Sequence, residues 1–476
     1  MNSSVQSSGT VAGRSRWWAF GAVCLGFHLV IIEGMVVTIA LPSIQSDLGF
    51  SELSLIWVVN AYLIPYSGFL LVGGRLSDLL GARRLFLFGI LIFTAASVLC
   101  GLAESRASLI GARVVQGLGG SVIASVSFSL TMSLFSEDSE RATALNIFNF
   151  VNSCGSAVAL VLGGTLTGLL NWHWIFLINL PFGAAAYALC LLCLPDTPRL
   201  STVNRLDFGG AVSVTLSLTL TVYSIVNGSK LGWHSAQTIV AATGAVVSLI
   251  LFLHIESRVP TPIIPLSLFR RRPLVIANII FILWCFAGSS WYFASSLYMR
   301  TVLKYDAVQV GLTFLPLTLA GATLQLGFCN RLVKRFGAKP PMVVGLLIAS
   351  SGMLLFARAP VHGHLVADVL PGMLLMGIGT GMASTPTFLI AMKGMAQSES
   401  GFVSGIICTA SMMGSALGLA TLVSAASAHT SNLLSAGVSL LAALNGGYHV
   451  TFALGATLLA SAPLIGAALL ASEKRD

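Results

Sequence analysis

Charge is what this chain most lacks: Asp, Glu, Lys and Arg make up 9% of its 476 residues, whereas a soluble globular chain carries roughly 25%. A soluble protein of this length would divide into several domains, each needing a charged surface, and this composition cannot supply one. Water is therefore not its main solvent. The eight cysteines all lie in or at the ends of apolar segments, so no disulfide framework is indicated. Cys190 and Cys193 form a C-x-x-C spacing inside an apolar run, where two small packing residues are the simplest reading. A glycine-rich phosphate loop with its Lys, zinc-spaced ligands and a nucleophile triad are also missing. ATP-driven transport and hydrolysis within the membrane thus lack their parts, an enzyme is the least favoured class, and no cofactor is implied.

What is abundant is apolar: 56% of the residues are hydrophobic. A helix needs about 20 apolar residues to cross roughly 30 Å of hydrocarbon, and such runs recur along the whole chain between short polar stretches. They are too long and too continuous for the alternating pattern of a membrane barrel. Helices are read at 17–41, 53–73, 84–103, 107–132, 142–168, 174–194, 207–226, 236–255, 273–297, 308–330, 341–357, 366–390, 401–425 and 448–470. Ser427 to Gly447 reads either as a loop or as a helix lying at the interface. The 48 glycines suit close helix packing.

The formal charge of +9 does not point to nucleic acid, because the basic residues sit in short clusters between spans. With the N-terminus inside, only Arg106, Lys230, Arg300, Lys304 and Arg358 of the 25 Lys and Arg face outward, and Arg113 lies within a span. The others, including Arg14, Arg16, Arg75 and the run Arg270 to Arg272, face the cytoplasm. That asymmetry favours fourteen spans with both ends inside. The first helix runs into Pro42 and a second span with no small-residue cleavage site, so it is not read as a removable signal. The expected setting is a bacterial cytoplasmic membrane, with a monomer as the default state.

The segment RLSDLLGARR at Arg75 to Arg84 recurs as RLVKRFGAKP at Arg331 to Pro340, with Lys334 in the place of Asp78. Each copy follows one span and begins the next. The repeat predicts a six-helix half over 1–200, an inserted helix pair over 201–262 and a second six-helix half over 263–476. Paired halves that rock about a central site are a common plan for secondary transporters.

The loop GGRLSDLLGARR, with Gly74, Asp78, Gly81, Arg83 and Arg84, resembles the loop signature of the major facilitator superfamily. TIALPSIQSDLG, WVVNAYLI, RVVQGLGG, WHWIFLINLPFG and DFGGA narrow the resemblance to its fourteen-helix EmrB/QacA-type drug:proton antiporters. The resemblance implies an all-α membrane protein of major facilitator fold with 14 transmembrane helices in a 6+2+6 arrangement. It also implies proton-coupled efflux of small lipophilic or cationic compounds, with the proton gradient as energy source. Three departures stand out. The family's helix 1 acid is often Asp, and here it is Glu33; Leu79 stands where a basic residue usually follows Asp78. The helix 5 signature keeps Gly155, Gly163 and Gly164 but has Ala159 and Leu160 in place of its Gly-Pro. Because that signature accompanies exporters, uptake or export of one dedicated metabolite stays open, as does a non-transporting membrane sensor.

Glu33 is the one acid well inside the first six spans, and Arg113 the one base. An ionised side chain at mid-bilayer costs at least roughly 2.5–3.5 kcal/mol, so both should face the interior and find partners. Burial disfavours a carboxylate's charge and a guanidinium beside it favours that charge. Separating the two therefore changes proton affinity, which is what coupling requires. The resemblance assigns proton-linked roles to the same two positions; the alternative is a static ion pair between helices 1 and 4. Asp78, Arg83 and Arg84 read as a latch between rocking halves, or else as a solvated turn. Polar and aromatic residues within the spans nominate Trp57, Asn60, Tyr62, Gln116, Asn149, Asn152, Trp284, Trp291 and Gln325 as lining a substrate cavity. Trp57 is equally a candidate interface anchor, and Gln116 and Asn152 are candidates for helix-to-helix bonds. His28, five residues before Glu33, is either a proton relay or a packing residue.

Overall fold

In hydrocarbon every backbone N–H and C=O must be bonded within its own segment, and the fold follows that demand. The computed structural model describes residues 13–135, 138–195, 207–259, 271–393 and 400–471, and among these all regular structure is helical. The first group is α1 (Gly13–Leu48), α2 (Glu52–Leu80), α3 (Ala82–Gly101), α4 (Arg106–Leu134), α5 (Asp138–Leu169), α6 (Trp174–Leu177) and α7 (Asn179–Cys193). The pair α8 (Phe208–Leu231) and α9 (Ala236–Arg258) comes next. The last group is α10 (Arg272–Leu297), α11 (Ala307–Thr313), α12 (Leu315–Thr323), α13 (Cys329–Phe336), α14 (Lys339–Phe356), α15 (Leu370–Met392), α16 (Ser400–Ser435) and α17 (Leu440–Ala471). Single π-helical turns cover Tyr298–Val302, Leu324–Phe328 and Leu365–Val369.

Among the described residues, 12 helices are long and apolar enough to cross a membrane, and Gly155–Leu169 and Ala307–Thr323 are shorter apolar stretches. Two expected spans carry a local irregularity. The helix expected over 174–194 runs as one apolar span, Trp174–Cys193, with a one-residue turn at Ile178 between α6 and α7, and the one over 308–330 has a similar turn at Phe314 and passes through a π-helical turn. Each one-residue turn lies just before a proline, Pro181 or Pro316, whose ring has no N–H to return to the carbonyl four residues back. The Ser427 to Gly447 stretch is mostly helical: it extends α16 to Ser435 and opens α17 at Leu440, with a short connection over 436–439 between them. The serines that blurred this reading return their hydroxyls to the helix: Ser431 donates to the Ser427 carbonyl at 3.0 Å and Ser435 to the Ser431 carbonyl at 2.9 Å.

The internal repeat is visible in the backbone. Gly81 (φ 88°) turns α2 into α3, and Gly337 (φ 79°) turns α13 toward α14. Both angles lie where a Cβ is strained, so matched glycines in the two copies perform the same reversal. Packing follows the repeat as well: α3 lies against α4 and α14 against α15. The elements α1 to α7 pack among themselves, as do α10 to α17, while α8 rests on both α2 and α16. On α9, Val240, Val246, Val247 and Ile250 are exposed, an apolar outer face suited to lipid.

The two groups meet closely at the end where α1 finishes and α2 begins, called here the distal end. There α5 crosses α11 so tightly that a Cβ on Gly164 would lie 2.7 Å from the Ala307 carbonyl oxygen, and one on Gly311 would lie 2.6 Å from the Leu160 oxygen. Ser296 Oγ donates to the Thr38 carbonyl at 2.8 Å, and Tyr448 Oη donates to Glu52 Oε1 at 2.7 Å.

Candidate functional site

The two interior charges of the first group meet. Glu33 on α1 is 0% exposed and Arg113 on α4 is 2% exposed, and Arg113 Nη1 donates to Glu33 Oε1. A buried pair is tolerable only if its remaining donors and acceptors are satisfied. Arg113 Nη1 also donates to Gln116 Oε1 at 2.7 Å, and its Nε donates to the Val58 carbonyl of α2 at 2.9 Å. Arg113 and Gln116 are three residues apart on α4, hence on one face. Glu33 Oε2 accepts from Asn179 Nδ2 at 2.8 Å. Ser97 of α3 ties the set together, accepting from Asn179 Nδ2 at 2.8 Å and Gln116 Nε2 at 3.1 Å while donating to the Phe176 carbonyl at 3.0 Å. The guanidinium also lies 4.5 Å from the Tyr62 ring centroid and 5.8 Å from that of Phe176, inside the reach of cation–π attraction.

The turn before Pro181 has a use here. It starts α7 at Asn179, which places that amide against Glu33. Five helices and the short α6 thus converge on one carboxylate. Chemically, the arrangement holds a single ionisable group whose charge depends on one guanidinium and one amide, with water excluded.

Residues 23–419 match the pattern of the Major Facilitator Superfamily. The chain is 35% identical over 415 residues to the cephamycin export protein CmcT of Amycolatopsis lactamdurans, covering 86% of this chain and 84% of that one. It is 33% identical to the puromycin resistance protein pur8 of Streptomyces alboniger, covering 93% and 90%. To the multidrug resistance protein Stp of Mycobacterium tuberculosis it is 32% identical, covering 87% and 76%. The chain belongs to the major facilitator superfamily. It is a multi-pass membrane transporter of small molecules related to drug-export and resistance proteins, and not an enzyme. The fold agrees: the crystal structure of the POT family transporter PepTSo superposes with a TM-score of 0.68 at 15% identity, covering 97% of this chain and 99% of that one. The human organic anion transporter MFSD10 gives 0.62 at 17% identity, covering 95% and 99%.

Within this superfamily fold the other nominated residues scatter. Tyr62 and Gln116 belong to the charge cluster rather than to a separate cavity. Asn60 is 0% exposed and bonds across the seam, its Nδ2 donating to the Ala416 carbonyl of α16 at 3.2 Å. Trp57 is half-buried beside Tyr223 of α8, with ring centroids 6.4 Å apart. Trp284 stacks on Phe281. Trp291 is buried among Tyr292, Phe314 and Phe356. Gln325 is exposed on the π-helical turn. The side chains of Asn149, Asn152 and Asp78 lie outside the described residues.

In the gating loop Arg83 Nη2 donates to the Leu191 carbonyl at 2.7 Å, so it caps the last turn of α7 within its own group. Arg84 is exposed and Gly74 has open space around it. Of the helix 5 glycines, Gly155 faces the His28 ring, Gly163 faces Val36 of α1, and Gly164 faces α11. His28 makes no hydrogen bond to Glu33, and its Nδ1 has no partner among the described residues. Cys190 and Cys193 are free thiols, Cys190 lying against the Ala22 carbonyl.

Reading the sequence missed Ser97, Asn179 and Arg106. Arg106 Nε donates to the Leu48 carbonyl at 2.9 Å and closes the C-terminus of α1, a favourable place for a cation. Asn179 carried a signal, being a polar side chain within an otherwise apolar run. Ser97 carried none, since a serine in such a run ordinarily bonds its own helix.

Proposed function

We propose that the chain is a proton-coupled exporter of small lipophilic or cationic compounds, of the EmrB/QacA type, working by alternating access of two six-helix halves. Fourteen crossings with both termini in the cytoplasm are part of this reading, Gly155–Leu169 and Ala307–Thr323 belonging to the two spans beyond the 12 long ones. The observation that carries it is the enclosed Glu33–Arg113 pair. A carboxylate whose counter-ion stands on another helix gains or loses proton affinity whenever those helices shift. The export direction is supported by likeness to proteins named for export and resistance.

In the cycle, Glu33 takes a proton from outside as substrate leaves and gives it up inside as substrate rebinds. One proton moving down 100 mV supplies about 2.3 kcal/mol before any pH gradient is counted. With the N-terminus inside, the distal contacts Gly164–Ala307, Ser296–Thr38 and Glu52–Tyr448 close the outward face. Arg83, Arg84 and Asp78 sit at the opposite end, where they would steady the loop between α2 and α3.

The test is ethidium movement in everted vesicles under an imposed pH gradient, comparing wild type with Glu33→Gln and Arg113→Ala. Gradient-driven movement in wild type, lost in Glu33→Gln, supports the assignment; movement that survives Glu33→Gln overturns it. Export of one dedicated compound is a second reading, favoured by the altered helix 5 signature and by relatives named for a single compound. Wild type that moves no member of a broad cation panel would sink the multidrug reading.

A further inference from the structure

An open cavity lies at the distal end, away from the Glu33 cluster. It measures about 440 Å³ and opens to the surface between α1, the end of α10 and the start of α17, within the range of sites for small organic ligands. Its lining includes the cations Arg300 and Lys304, an apolar wall of leucines with Leu441 and Leu444, and the polar Gln45 and Thr301.

The two cations have no acidic partner among the described residues. Arg300 Nη1 donates to the neutral Tyr305 carbonyl at 2.9 Å. The nearby acids each accept from a neutral donor rather than from either cation. Asp47 Oδ2 accepts from Trp172 Nε1 at 2.8 Å, Glu52 Oε1 from Tyr448 Oη at 2.7 Å, Asp306 Oδ1 from the Gln309 N–H at 2.7 Å, and Asp368 Oδ2 from the His364 N–H at 2.7 Å. Lys304 moreover occupies a left-handed backbone position (φ 60°) that a glycine would fill without strain.

We infer that this cleft is a binding site for an amphiphilic anion, a phosphate or carboxylate head on Arg300 and Lys304 with its apolar body on Leu441 and Leu444. Unpaired guanidinium and ammonium groups supply the charge-assisted donors that such a head requires. The apolar wall selects against a free inorganic ion. Since α1 belongs to the first helix group and α10 and α17 to the second, an occupant touches both groups and favours the closed distal end. The inference is independent of proton coupling at Glu33.

The same head chemistry occurs on an anionic lipid and on a soluble amphiphile, and two arms of one experiment separate them. The full-length protein in an uncharged detergent is titrated with phosphatidylglycerol in one arm and dodecyl phosphate in the other, and bound adducts are counted by native mass spectrometry. Inorganic phosphate and dodecyltrimethylammonium serve as controls. At least one of the two amphiphilic anions should bind, with affinity falling tenfold or more in Arg300→Gln/Lys304→Gln and remaining within twofold in Lys230→Gln. Binding of the lipid alone identifies a membrane-lipid site, and binding of dodecyl phosphate identifies a site open to soluble amphiphiles. Thermal unfolding of the double variant is measured alongside, and Arg300→Lys should restore part of the binding. Equal binding of dodecyltrimethylammonium, or unchanged anion binding by a folded double variant, overturns the inference.

Discussion

Glu33 and Arg113 are each too costly in hydrocarbon to stand alone, and the geometry shows how the cost is met: every strong donor toward Glu33 comes from another helix. Replacing the carboxylate by its amide keeps nearly the same volume. Asn179 Oδ1 has no partner among the described residues, so rotation of that amide lets it accept from the new side chain. Glu33→Gln should therefore fold and still bind substrate, while gradient-driven transport falls at least a hundredfold; equilibrium ligand binding beside vesicle transport measures the two separately. Each single variant leaves one buried charge without its counter-ion, a change worth about 3–5 kcal/mol in other buried pairs. The carboxylate left by Arg113→Ala can shed its charge by taking up a proton, whereas the guanidinium left by Glu33→Gln cannot and must rest on its bonds to Gln116, Val58 and the new amide oxygen. The midpoint of thermal unfolding in detergent should fall below wild type in both, and the double variant should recover part of the loss.

This pair was legible in the sequence because charge is so rare here that each interior charge stands out. Ser97 was not, because its importance arises only when α3, α4 and α7 bring an amide, a carbonyl and a second amide to its hydroxyl. The aromatic nominations read less well for a similar reason. Trp291 and Trp284 are polar-tipped residues in apolar spans, but their rings pack on other rings, and burial of a large aromatic needs no ligand to justify it.

At the scale of elements, hydropathy gave the approximate limits of the long apolar helices, 12 of which among the described residues are long enough to cross a membrane, and it failed where the polar residues were of a kind that a helix can satisfy internally. Serines in the 427–435 stretch lowered its apparent hydrophobicity yet bond back to α16. The turns before proline in α6–α7 and α11–α12 do not interrupt hydropathy at all, so a hydropathy reading passes over them. The α5–α11 crossing has a clear consequence. Gly164→Ala would drive a methyl group to within 2.7 Å of a backbone oxygen and 3.2 Å of Val308 Cα, neither of which can turn aside. The helices must separate, and the distal end should close less well. Gly111→Ala, with no atom within 4 Å of the added carbon, is the control. Transport should fall several-fold in the first and stay near wild type in the second.

The clasp between α2 and α17 makes a related but gentler prediction. Tyr448→Phe removes the hydroxyl that donates to Glu52 and leaves the ring in place. A hydrogen bond to a charged acceptor contributes about 1.5–3 kcal/mol, so the closed distal population should drop roughly tenfold or more against the open one. Spin labels at Ser51 and Leu440, both exposed, would report this as a shift toward longer distances; an unchanged distribution would show that the glycine crossing and the Ser296–Thr38 bond keep that end shut without it.

For the whole molecule, the orientation proposed above rests on charge rather than on any contact. Positively charged loops resist translocation, and the excess of Lys and Arg lies at the end bearing Arg83, Arg84, Lys334 and Arg335. The distal end bears far fewer, Arg300 and Lys304 among them, and these face the cleft assigned above to an anion. If that imbalance governs insertion, a thiol placed at Ser439, in the short exposed connection between α16 and α17, meets the outside medium. One placed at Arg335, exposed at the end of α13, meets the cytoplasm. In a background where all eight native cysteines are replaced, a membrane-impermeant maleimide applied to intact cells should label Ser439→Cys and spare Arg335→Cys, and permeabilised cells should label both. The reverse pattern would invert the protein. The closed end described here would then face the cytoplasm, and the proton path through Glu33 would have to be drawn in the opposite sense.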